Sequence, residues 1–109
     1  MKLKSLNIYS FHVRAKTDWL ILELISTEGI KGYSEITMSN YDQRTTLISS
    51  VKKLIKVLSG IDIESDEQLK NILENDKKET LSYNTAISGL RSACTDIFSK
   101  AQNLSLIHI

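Results

Sequence analysis

The first third of the chain alternates apolar and polar positions. Between Leu3 and Val13, Leu6 and Ile8 oppose Asn7, Tyr9, Phe11 and Val13 with a rough period of two, the pattern of a half-buried strand. After Arg14-Ala15-Lys16-Thr17-Asp18 comes Trp19-Leu20-Ile21-Leu22-Glu23-Leu24-Ile25, a β-rich run that reads as a strand mostly buried on both faces. Thr27-Glu28-Gly29 predicts a tight turn, because glycine takes the positive φ that hairpin loops demand. Ile30 to Ile36 returns as a third strand, and Gly32 inside it signals a bulge or a close backbone approach. Three short strands with short links predict an antiparallel meander.

The period then changes to that of a helix. Leu47, Ile48, Val51, Leu54, Ile55 and Leu58 fall on one helical face, with Asp42 or Thr45 as candidate caps and Ser59-Gly60 as the stop. A second helix opens at Ser65, where Ser65 and Gln68 make a capping box and Asp66 and Glu67 suit the positive end of the dipole; Leu69, Ile72 and Leu73 are its buried side. Asn75 to Glu79 reads as a charged connector. The last helix spans about Ser82 to Gln102, since Ala86, Ile87, Leu90, Ala93, Cys94, Ile97, Phe98 and Ala101 share one stripe. Ala86, Gly89 and Ala93 would let another backbone lie close. The expectation is an α+β domain: a three-stranded antiparallel β-meander followed by a bundle of about three helices.

Composition narrows the function classes. The 109 residues suit one domain, and 14 basic against 13 acidic residues leave a net charge of +1 with the signs interleaved. That balance supplies no concentrated basic face, so no nucleic-acid partner is expected; Lys52, Lys53 and Lys56 read as the wet side of a helix. No stretch reaches the roughly 20 apolar residues of a membrane span, so no membrane partner is expected either. The single cysteine excludes an internal disulfide and points to a cytoplasmic protein.

Candidate chemistry is sparse. His12 and His108 lie far apart without a carboxylate or cysteine at ligand spacing, and Cys94 sits on an apolar stripe where a thiol is inert. Gly29-Ile30-Lys31-Gly32 lies in a hairpin rather than before a helix, which rejects a phosphate loop. Asp62, Glu64, Asp66 and Glu67 are explained by helix capping and lack calcium-loop spacing. On the residues alone, no self-contained active site is present.

Several motifs together carry a resemblance. Leu20-Ile21-Leu22-Glu23-Leu24 with Thr27-Glu28-Gly29-Ile30-Lys31-Gly32-Tyr33-Ser34-Glu35 resembles the T-D-E-G-x-x-G-x-G-E hairpin of the enolase superfamily, in its mandelate racemase and muconate-lactonizing branch. Leu58-Ser59-Gly60-Ile61-Asp62 is similar to the L-x-G-x-D that closes the first helix. Ala86-Ile87-Ser88-Gly89-Leu90 through Asp96-Ile97-Phe98-Ser99-Lys100-Ala101 is similar to the long helix A-x-S-G-x-x-x-A-x-x-D-x-x-G-K-A. Ser34, Thr95 and Ser99 depart from the family's usual glycine, tryptophan and glycine.

The resemblance implies an N-terminal capping domain, which in such enzymes lies over a catalytic barrel. It implies that the barrel carries the bases and the carboxylates that hold Mg²⁺, and that these enzymes remove a proton next to a carboxylate. A barrel needs roughly 250 residues. No catalytic or metal-binding residue therefore transfers to this sequence. The chain itself is expected to be inactive and free of cofactor, with Mg²⁺ and a small carboxylate substrate belonging to a homo-oligomeric parent. The cap contributes specificity through two loops, here Arg14 to Asp18 and Thr37 to Arg44, in which Arg14, Lys16, Asn40, Tyr41 and Arg44 are the candidate substrate-specificity residues. The short first loop resembles acid-sugar dehydratases, giving dehydration first and racemisation, epimerisation or cycloisomerisation second. The rival from another class is a stand-alone protein-interaction module.

The expected domain covers residues 1–103. Residues 104–109, Leu-Ser-Leu-Ile-His-Ile, stand where the family links to the barrel. They are also what CTG TCT CTT ATA CAC ATC encodes, a string resembling a transposase adapter, so they read as a truncation or read-through tail. The plainer alternative is a natural apolar segment.

Overall fold

The computed structural model describes residues 1–14, 17–38, 44–75 and 81–107. Strands β1 (Leu3–Arg14), β2 (Thr17–Ser26) and β3 (Lys31–Met38) form an antiparallel sheet in the order β1-β2-β3. Helices α1 (Arg44–Leu58), α2 (Asp66–Asn75) and α3 (Leu81–Ile107) follow. The α+β order of sheet then helices is the expected one.

Each boundary has a local cause. Gly29 turns the β2–β3 hairpin with φ of 86° and donates its N–H to the Ser26 carbonyl at 2.9 Å. Gly60, with φ of 76°, stops α1 in the left-handed conformation that glycine adopts without a Cβ penalty. Ser65 caps α2 by accepting from the Gln68 N–H at 3.1 Å. The Gln68 side chain reaches back one residue further than a standard capping box, accepting from the Glu64 N–H at 2.6 Å and donating to the Asp62 carbonyl at 3.2 Å. Thr45 lies inside α1 and is not its cap, and Asp42 lies outside the described residues.

The core forms where one face of the sheet meets the helices. Leu20, Leu22 and Leu24 of β2 and Ile36 of β3 pack with Leu47, Val51, Leu54 and Leu58 of α1, with Leu69 and Leu73 of α2, and with Ala86, Leu90, Ala93, Cys94 and Ile97 of α3. Gly32 resolves to a close approach and not a bulge, since the β2–β3 register runs without a shift. A Cβ there would overlap the Ala93 carbonyl oxygen and lie 2.5 Å from Ile97 Cγ1. Gly89 is a second close approach, where a Cβ would sit 2.7 Å from Ile36 Cδ1.

Three expectations need correction. β2 is mostly buried on both faces, as expected, only in its middle: Leu20, Leu22 and Leu24 are sealed and Glu23 opposite them is 6% exposed, but Ile21 and Ile25 are half-buried and Trp19 is 39% exposed. Pairing carries β1 to Arg14 and β2 back to Thr17, so three of the five residues expected in the first loop lie in strands. α3 continues to Ile107 and not only to Gln102, taking in most of the expected tail.

A polar latch ties β3 to α3. Asp96 Oδ2 accepts from the Tyr33 backbone N–H at 2.9 Å and pairs with Lys100 Nζ at 3.0 Å. Lys100 also donates to the Lys31 carbonyl at 2.7 Å and lies 5.0 Å from the centre of the Tyr33 ring. The latch occupies groups on the free edge of β3, one way in which folds protect an edge strand.

Candidate functional site

The expected specificity loops leave the sheet at one end. Arg14 pairs with Thr17, His12 with Asp18 and Asp18 with Met38, so the β1–β2 connection and the segment after β3 emerge side by side. Arg14 closes β1, its backbone in the ladder and its side chain outside the description. Lys16, Asn40 and Tyr41 lie outside the described residues. Arg44 is the first residue of α1, half-buried and with an interaction partner. The fold thus brings the segments that carry the candidates to one edge.

Elsewhere the candidate groups are engaged. Cys94 is fully buried, and desolvation pushes its thiol up to about 12, which leaves no thiolate for nucleophilic work. Asp62 pairs with the N-terminal ammonium of Met1. Asp66 accepts both arms of Arg91, Nε at 3.0 Å and Nη2 at 2.8 Å, and this contact, more than any other, holds its carboxyl below the ordinary range. An open depression of about 360 Å³ lies beside this pair, lined by Asp66, Ser88, Arg91, Ser92 and Thr95. His12 is exposed, and His108 lies outside the described residues.

Among the described residues no three His, Cys, Asp or Glu side chains come together to hold a metal ion. Of the acidic run at 62–67, Asp62 and Asp66 are taken up by the Met1 ammonium and by Arg91. Among the described residues no helix is long and apolar enough to cross a membrane.

The sequence reading missed a polar cluster on the face of the sheet turned away from the helices. Glu23 is 6% exposed, yet its carboxylate is ionised and well supplied with donors. The Tyr33 hydroxyl donates to Oε2 at 2.7 Å, and Asn7 Nδ2 and the Tyr9 hydroxyl donate to Oε1 at 2.8 and 3.3 Å. The Tyr33 contact and then the Asn7 amide hold the Glu23 carboxyl below its ordinary value, outweighing burial. The Glu23 charge in turn raises the Tyr9 hydroxyl, and its hydrogen bond raises that of Tyr33. The available signal was one charge within an aliphatic run, with tyrosines on both flanking strands.

The family model for mandelate racemase / muconate lactonizing enzyme, N-terminal domain, matches residues 3–109. Among solved structures, the chain is similar to an enolase from environmental sequencing of the Sargasso Sea, with a TM-score of 0.80 and 23% identity over 93% of this chain and 29% of that one. It is similar to a mandelate racemase/muconate lactonizing enzyme-like protein from Roseovarius sp. TM1035, with a TM-score of 0.72 and 21% identity over 94% and 28% of the two chains. A mandelate racemase/muconate lactonizing enzyme from Sulfitobacter sp. gives a TM-score of 0.74 and 21% identity over 94% and 28%. At these identities the structures speak for the fold alone. This chain spans less than a third of their length. No curated protein matches.

Proposed function

Because the chain belongs to the N-terminal domain family of mandelate racemase and muconate lactonizing enzymes, we propose that it is the substrate-capping domain of a cytoplasmic, Mg²⁺-dependent enolase-superfamily enzyme that dehydrates an acid sugar. Such an enzyme removes the proton next to a carboxylate and expels water from the neighbouring carbon. The groups that do so belong to the remainder of a longer protein, and the 109 residues here are inactive alone. Their work is to cover the substrate and exclude water.

The observation that carries this reading is the shared exit of the two specificity segments, with only residues 15–16 joining β1 to β2. A short connection leaves room for a polar, hydrated substrate. Arg14, Lys16 and Arg44 supply cations for a carboxylate, and Asn40 and Tyr41 supply hydrogen bonds to hydroxyls.

The test is steady-state turnover by the parent enzyme on a panel of hexonates and aldarates, followed as formation of 2-keto-3-deoxy acids. The expected result is dehydration of at least one sugar acid. Inactivity across that panel together with epimerisation of dipeptides or cycloisomerisation of a muconate would overturn the dehydratase reading and keep the cap.

A further inference from the structure

We draw no further inference here: the strongest candidate, the aromatic outer face of the sheet around Glu23, carries nothing because nothing in the structure shows what covers it.

Discussion

The two faces of the sheet meet the same backbone and come to opposite ends. On β2, Leu20, Leu22 and Leu24 point to the helices and are fully sealed, whereas Trp19 and Ile21 on the other side stay partly exposed around Glu23. The inner face is aliphatic, and it works by shape: a Cβ on Gly32 would overlap the backbone of α3, and one on Gly89 of α3 would press on the Ile36 side chain. The outer face is aromatic, carries Glu23 and Glu35 beside Lys31, and holds the buried Glu23 charge by hydrogen bonds. Aliphatic side chains serve where water is excluded on every side. Tyrosines serve where one end is wet and the other dry. One sheet thus supplies both the packing that makes the domain and a surface with chemistry of its own.

The comparison breaks most visibly by truncating one residue on each side. Leu22→Ala should cost about 3 kcal/mol, since it leaves a cavity in a sealed core, while Phe11→Ala should cost under about 1 kcal/mol because half of that ring is already exposed. Urea denaturation of both variants measures the contrast, and equal losses would dissolve it. Gly32→Ala comes next, with an expected loss of about 2 to 3 kcal/mol from overpacking against the Ala93 carbonyl and Ile97; a shift of Tm below that of Phe11→Ala would refute the close approach.

A smaller effect sharpens the boundary between the faces, where the latch sits. Asp96→Asn should lose about 1 kcal/mol at neutral pH by weakening the contacts to the Tyr33 N–H and Lys100. The Tyr33 N–H above all lowers the Asp96 carboxyl from its ordinary 3.8, so its contribution is complete above that value and disappears as pH falls through the lower folded value. The gap between native and variant stability, followed by denaturation from neutral pH into acid, should therefore close below about pH 4. Ser34→Ala gives the smallest change and the opposite sign. The Ser34 hydroxyl is buried with no hydrogen-bond partner among the described residues, and removing it should raise stability by up to about 1 kcal/mol.

Much of the architecture was legible because period and punctuation agreed. The strand alternation, the stripe from Leu47 to Leu58, Gly29, Gly60 and the Ser65–Gln68 cap all act within a few residues of themselves. Features that depend on a distant partner were harder to read. Glu23 has no local sign of its role, because its donors arrive from Asn7 and Tyr9 on one neighbouring strand and from Tyr33 on the other. Arg14, Thr17 and Asp18 looked like loop because polar side chains conceal a backbone that continues to pair. Gly32 signalled something unusual, and only the arrival of α3 decides between a bulge and a close approach. Of the candidate site, the position of its two segments was legible, since a meander brings alternate connections to the same end. Its side chains were read as chemistry without a scaffold, and Lys16, Asn40 and Tyr41 remain outside the described residues.

The proposed capping role requires that the reacting groups lie on other residues of a longer protein. Calorimetric titration of MgCl2 into the 109-residue chain, with the sugar-acid panel assayed in the same samples, checks that requirement. Neither saturable heat nor product is expected. Stoichiometric Mg²⁺ binding accompanied by turnover would contradict it.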